Sequence, residues 1–173
     1  MTAAKLGDPE AINWLVRTWT PRIYRYVYRM LSTEEDAKDL TQEILTKTLK
    51  TLHRFDQSRP FAPWIYRIAR NACIDLQRKR RPISEAPIET IPDPSGTPYD
   101  RALASEDTAR IREALDTIPA KYKEILILYH FEHMKYEQIS QLLRVPMGTV
   151  MNRLFRARKL LKTAVQSQGG AST

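Results

Sequence analysis

Five of the chain's eleven prolines fall between Pro82 and Pro98, in a stretch that also holds Gly96 and shows no helical spacing of apolar residues. Proline fixes φ and lacks an amide proton, so neither a helix nor a central strand can run through such a segment. It reads as an extended linker. The 173 residues are thereby divided into two small domains, expected at 1–81 and 104–173, with the linker over 82–103 and a disordered C-terminal tail.

Charge follows the same division. From Arg59 to Arg81 there are seven basic residues against one acid, Asp75, and from Arg144 to Lys162 six against none. Residues 82–108 carry six acids and one base, Arg101. Two basic modules thus flank an acidic tether. The net charge of +8 favours a polyanionic partner, although a global excess does not separate DNA from RNA or from an acidic membrane surface. No apolar run approaches the ~20 residues needed to cross a bilayer. The start, MTAAKLGDPEAINW, lacks the basic-then-apolar order of a secretory signal. A cytoplasmic protein with no membrane insertion of its own is expected. The single cysteine, Cys73, cannot form an internal disulfide and sits in a helical pattern, where it fits a small buried filler.

Outside the linker every long segment has helical apolar spacing, and no run alternates long enough to argue for a strand, so the fold class is all-α. Asp8-Pro9 and Thr20-Pro21 are helix starts, predicting short helices over 9–18 and 21–31. Ser32 with Glu35 has capping-box spacing and opens a long helix to about Leu52. A fourth helix starts near 61–63 and runs into the Arg78–Arg81 cluster. The second domain is expected to hold helices over 103–117, 120–132, 136–143 and 147–164, with Pro119 and Pro146 marking starts. The last two, joined by a tight turn at Arg144–Pro146, have helix-turn-helix spacing.

The faces of these helices carry the chemistry. On the fourth helix Ile65, Ile68, Ala69, Ala72 and Leu76 form one stripe, expected to be buried, while Trp64, Arg67, Arg70, Asn71 and Arg78 point elsewhere. Arginine offers a planar fork for phosphate and guanine, asparagine can read a base edge, and tryptophan offers a stacking surface. That is equipment for opened DNA; the same residues also fit a solvated basic face beside a core tryptophan. The preceding loop, His53–Phe61, could hold a base swung out of the stack or be an ordinary helix connection. On the final helix Val150, Leu154, Ala157 and Leu161 lie on one side, and Thr149, Asn152, Arg153, Arg156 and Lys159 on the other. The apolar stripe docks the helix and leaves the polar face for a major groove, where Met151, Asn152, Phe155 and Arg156 are candidate readers of sequence. A basic amphipathic helix also suits a membrane or an acidic protein, but the preceding KYEQISQLLRVPMGTV with its turn proline favours DNA. On the long helix Ala37, Leu40, Ile44 and Leu52 face inward, and Asp39, Gln42, Glu43, Thr46 and Lys50 outward. An acidic edge is poorly placed for phosphate and suits either a basic protein partner or solvent.

In motif order the chain resembles extracytoplasmic-function sigma factors of the sigma-70 family. DAKDLTQEIL at 36–45 is similar to the family's polymerase-binding signature, FAPWIYRIARNACIDLQRKRR at 61–81 to its minus-10 region, and YEQISQLLRVPMGTVMNRLFRAR at 136–158 to its minus-35 helix-turn-helix. The resemblance implies a specificity subunit that catalyses nothing itself and needs no cofactor. It places Asp39, Gln42 and Glu43 on the clamp helices of core RNA polymerase, with a further polymerase contact at the flap. Trp64, Arg67, Arg70, Asn71 and Arg78 would melt and hold the minus-10 element. Thr149, Met151, Asn152, Arg153, Phe155, Arg156 and Lys159 would contact the minus-35 element of promoter DNA. It also implies an anti-sigma partner. Four positions depart from the family's pattern: Lys38 stands where an acid is frequent, Leu49 where an aromatic is, Pro63 lies early in a helix where proline is tolerated but uncommon, and Met151 stands where a basic residue is frequent.

About 20 linker residues at roughly 3.1 Å each reach on the order of 60 Å, close to two turns of B-DNA, so the tether lets the modules grip separate elements. Two other classes compete. A helix-turn-helix regulator acting without polymerase would leave DLTQE and the tryptophan-bearing basic helix without a purpose. An enzyme has only His53, His130 and His133 to draw on. His130 and His133, three apart, could share a metal, but nothing nearby completes a ligand set, and packing or surface histidines are expected.

Overall fold

In a computed structural model the described residues are 1–80 and 108–169, and within them every regular element is helical. The chain divides into two compact units, Met1–Glu85 and Ala86–Thr173. The expected linker over 82–103, the helix start expected at 103 and the tail beyond 169 lie outside the described residues.

Unit 1 holds α1 (Thr2–Lys5), α2 (Pro9–Leu31), α3 (Glu34–Thr51), a 3-10 turn (Leu52–Arg54) and α4 (Phe61–Arg80). Asp8 caps α2 as expected, its Oδ1 accepting the amides of Glu10 at 2.9 Å and Ala11 at 3.4 Å, with Pro9 in the first turn. The helix does not stop at Thr20: Pro21 lies inside one continuous 23-residue helix. Local proline chemistry is overruled by burial. Leu15, Trp19, Ile23, Tyr26, Val27 and Met30 form an unbroken helical stripe across the proline, all buried. Each such side chain is worth about 1.5–3 kcal/mol, against ~3 kcal/mol for an interior proline.

The capping box expected at Ser32 and Glu35 is replaced by another arrangement. Ser32 adopts a left-handed conformation (φ 63°) that closes α2, its amide bonding the Tyr28 carbonyl, and Thr33 takes the position before α3. Three acids, Glu34, Glu35 and Asp36, then occupy the first turn of α3, where the helix dipole favours them. Ala37, Leu40 and Ile44 are buried as expected, joined by Thr41, Leu45 and Thr48, and Leu52 is buried in the 3-10 turn.

On α4 the buried stripe is Ile65, Tyr66, Ala69 and Cys73. Ile68, Ala72 and Leu76, expected within it, are only half-buried. The Tyr66 ring turns the helix toward itself by packing edge-on to Trp19 and Tyr26, at centroid distances of 5.9 and 5.2 Å. Cys73 is fully buried. Pro63 falls in the first turn, where the missing amide proton costs no intrahelical bond.

Unit 2 holds α5 (Thr108–Thr117), α6 (Ala120–Leu126) continuing into a π-helical turn (Ile127–Phe131), α7 (Tyr136–Leu143) and α8 (Met147–Gly169). Pro119 precedes α6, its carbonyl accepting the amides of Tyr122 and Lys123. Ile125, Leu126, Ile127, Leu128 and Ile139 are fully buried. The final helix runs five residues past the expected 164.

Candidate nucleic-acid interface

The α4 face that the sequence singles out is built on a chain of rings. Trp64 lies tilted against Phe55 and Phe61, at 5.1 and 5.4 Å between centroids, and Phe61 packs edge-on to Trp19 at 5.1 Å. Trp64 is half-buried, so the ring is rooted in the core on one side and open on the other. At 100° per residue Trp64, Arg67, Asn71 and Arg78 share a stripe about 60° wide, with Arg70 roughly 60° beyond Arg67. Arg67 and Arg70 are half-buried; Asn71 and Arg78 are exposed. The Arg78 guanidinium lies 3.1 Å from Asp75, an exposed pair of little energetic weight that leaves the arginine available to phosphate.

The loop after α3 has less freedom than its composition suggests. Phe55 is buried, its carbonyl accepts from Lys5 Nζ at 2.9 Å, and Gln57 Oε1 accepts from the Thr2 hydroxyl at 2.8 Å. Asp56 Oδ1 accepts from both the amide and the hydroxyl of Ser58, which holds its carboxyl below the usual carboxylate range. The rings of Phe55 and Phe61 serve the core, while His53, Arg54, Gln57, Ser58 and Arg59 remain exposed. The four-residue α1 that pins this loop was not foreseen; it is too short to show a period.

The acidic edge of α3 is presented as expected, with Asp39, Gln42, Glu43, Thr46 and Lys50 all exposed. Lys38, the departure noted above, pairs with Glu34 at 2.7 Å, one helical turn back. Between α3 and α4 runs a groove of about 450 Å³, with Leu40, Ala72 and Leu76 among its lining and Glu43, Lys47 and Arg78 also bordering it. A link from α4 back to α3 was also missed. Arg80 grips Asp36 with both terminal nitrogens, Nη2 at 2.6 Å from Oδ1. The guanidinium hydrogen bonds are the main cause that holds the Asp36 carboxyl below its ordinary range.

In unit 2 the tight turn is present. Arg144 is left-handed (φ 55°) and its amide bonds the Ser140 carbonyl, while the Ser140 hydroxyl donates to the Val145 carbonyl at 2.6 Å. The Pro146 carbonyl then accepts from Thr149 and Val150, starting α8. Val150, Leu154, Ala157 and Leu161 are buried to within 1%. Met151 and Lys159 are exposed, and Thr149, Asn152, Arg153, Phe155 and Arg156 are half-buried. All seven lie off the buried stripe. Arg158, within the same basic run, is drawn aside: its guanidinium lies 5.4 Å from the Tyr129 ring centroid, and Nε donates to His130 Nε2 at 3.4 Å. His130 is therefore engaged in packing, and His133 is exposed at φ 51°. Among the described residues no group of three or more His, Cys, Asp or Glu side chains is placed to hold a metal, and no helix is long and apolar enough to cross a membrane.

Two family models match the chain, sigma-70 region 2 over residues 15–83 and sigma-70 region 4 over residues 108–161. A relative 31% identical over 91% of this chain and 90% of its own length is the ECF RNA polymerase sigma factor SigW of Bacillus subtilis. The chain belongs to the extracytoplasmic-function (ECF) sigma factors. Another relative, the ECF RNA polymerase sigma-E factor of Haemophilus influenzae, is 28% identical over 92% of this chain and 90% of its own length. Among solved structures, this ECF sigma factor shares its fold with the sigma factor RpoE in complex with the anti-sigma factor NepR from Bartonella quintana (TM-score 0.73, 22% identity, 91% of this chain and 98% of that one). It is likewise similar to CnrH in complex with the cytosolic domain of CnrY (TM-score 0.74, 23% identity, 96% and 94%). Region 2 thus coincides with the unit carrying the α3 edge and the α4 face, and region 4 with the unit carrying the α7–α8 turn.

Proposed function

We propose that this sigma factor directs core RNA polymerase to its promoters through three separate surfaces and performs no catalysis itself. The observation that carries the division of labour is the opposition of charge within unit 1: an exposed edge of Asp39, Gln42 and Glu43 on α3, and an arginine-tryptophan face on α4. Residues 1–81 act as the polymerase-binding and minus-10 module, 82–103 as a tether and 104–173 as the minus-35 module. Asp39, Gln42 and Glu43 meet the clamp helices of the largest subunit, since an acidic edge is repelled by phosphate and attracted to a basic protein surface. Unit 2 contacts the flap.

Trp64, Arg67, Arg70, Asn71 and Arg78 hold the opened minus-10 strand, with Trp64 stacking against a base and the arginines on its backbone. Thr149, Met151, Asn152, Arg153, Phe155, Arg156 and Lys159 enter the major groove at the minus-35 element. The complexes of RpoE with NepR and of CnrH with CnrY support control of this chain by an anti-sigma factor as well. The site of action is the bacterial cytoplasm.

In vitro transcription with core polymerase tests the division. Arg156→Ala is expected to weaken promoter use while sparing polymerase binding, and Asp39→Ala with Gln42→Ala to weaken polymerase binding, with promoter use recovering at saturating core enzyme. Equal loss of both functions in both variants would overturn it.

A further inference from the structure

The outer side of α8 carries an apolar edge inside a basic frame. Val150, Leu154, Ala157 and Leu161 are spent on the core. Met151 is nevertheless 42% exposed, and Phe155, one turn later, is half-buried. The run from Arg144 to Lys162 around them holds six bases and no acid. Met147, one turn before Met151, is 46% exposed as well, and a run of exposed apolar side chains beside like charges is more informative than a single one. The partner that satisfies both features is anionic at its rim and apolar within. A membrane is a poor match, since the main apolar face of α8 is already buried in unit 2. Duplex DNA matches: phosphates line the groove, and the thymine 5-methyl is the apolar group in its floor. RNA does not, because uracil lacks that methyl and the A-form major groove is too narrow for side chains to read.

Gly148 gives an independent indication. It lies in α8 with φ in the ordinary range, and a Cβ added there would meet nothing within 4 Å. It is the second residue of α8, in the first turn, where glycine costs less than in a helix interior but is still not favoured over alanine, and no close approach or positive φ in the described structure requires it. At 100° per residue Gly148, Met151 and Phe155 fall within about 60° of one another. The space left open by the glycine therefore adjoins the apolar edge.

We propose that Met151 and Phe155 form a reading edge for the 5-methyl group of a thymine in the upstream promoter element, with Gly148 leaving room for that base pair to approach the helix. This assignment rests on α8 being the minus-35 reader proposed above. Asn152 and Arg156 supply hydrogen bonds to neighbouring base edges. Met151 can donate no hydrogen bond to guanine or phosphate, and so distinguishes T·A from C·G by shape and methyl contact alone.

The test uses holoenzyme assembled from the full chain and core polymerase. A preferred upstream element is selected from a randomised duplex library, and each of its thymines is replaced in turn by deoxyuridine, which removes only the methyl. At one or two positions affinity is expected to fall about fourfold, the value of one buried methyl. Met151→Ala is expected to bind the thymine and deoxyuridine forms equally; at 42% exposure the side chain is not needed for folding. Gly148→Ala is expected to raise thermal stability yet weaken promoter binding on both templates. If deoxyuridine is harmless at every position while Arg156→Ala still weakens promoter use, α8 reads DNA and the apolar edge is wrong. If Arg156→Ala is also silent, the minus-35 assignment and the edge fall together.

Discussion

Truncation of Trp64 separates a core tryptophan from one that grips opened DNA, because the two roles differ in what they cost. The ring makes two aromatic contacts, with Phe55 at 5.1 Å and Phe61 at 5.4 Å. Such pairs contribute ~0.5–1.5 kcal/mol each beyond area burial, so with the ring's half-burial added Trp64→Ala is expected to lower the stability of unit 1 by at least about 1–3 kcal/mol. A base stacked on the open face would lose a further ~1–3 kcal/mol, equivalent to a roughly 5- to 150-fold drop in open-complex occupancy. Trp64→Phe keeps a ring in place and should recover most of both quantities. Stability is read by chemical denaturation of the free chain, and opening by fluorescence of a base analogue in the minus-10 segment of a promoter bound by holoenzyme. Measurements stay well below the variant's melting temperature so that unfolding does not contribute. If Trp64→Ala loses the expected stability yet opens the promoter as well as the parent, the ring belongs to the core alone and the stacking role is refuted.

Three further outcomes follow from the packing. Asp36 has a folded-state pKa below its unfolded value, so its bridge to Arg80 stabilises above the ordinary carboxylate pKa and is lost as pH falls through the depressed one. Stability curves of the parent and Asp36→Asn should therefore differ above pH 3.8 and converge in more acid solution; divergence on acidification would count against the bridge. Pro21→Ala restores an amide donor inside a continuous helix and should stabilise unit 1 by about 2 kcal/mol, checked by urea denaturation; destabilisation would mean that α2 requires the proline's geometry. Leu154→Ala removes a side chain 1% exposed and should cost about 2–5 kcal/mol in unit 2. Hydrogen exchange should report that loss in α5–α8 and leave α2–α4 unaffected.

Features encoded by local period and charge were legible in the sequence. The buried stripe of α8 and the exposed edge of α3 are set by spacings of three and four residues, and the α7–α8 turn by a proline at the end of a three-residue gap, Arg144–Pro146. Features set by distant packing were not. The proline signal at 21 predicts a break, but whether a helix tolerates it depends on the buried stripe it would interrupt. The α4 register is displaced toward Tyr66, which the apolar period leaves out and which the edge-on rings of Trp19 and Tyr26 make an anchor; Cys73, read as a buried filler, lies on that same shifted stripe. Arg80 and Asp36 lie 44 residues apart, so no local spacing announces their pairing.

The proposed roles require acid and base to coexist on one small unit without cancelling. Left flexible, an edge carrying Asp39 and Glu43 and a face carrying Arg67 and Arg78 would attract each other across a Debye length of about 8 Å. What prevents collapse is that the two charge sets sit on helices fixed by packing: α3 through Ala37, Leu40 and Ile44, α4 through Ile65, Ala69 and Cys73. The groove between the helices is bordered by both signs, Glu43 and Asp75 alongside Lys47, Arg78 and Lys79, so charge there is largely offset with one cation in excess. The Asp36–Arg80 bridge does the same at the end of α4, spending one acid and one base in a defined bidentate pair. Asp39 and Glu43 thus stay in solvent on α3, where a partner surface of opposite sign can replace water and counterions.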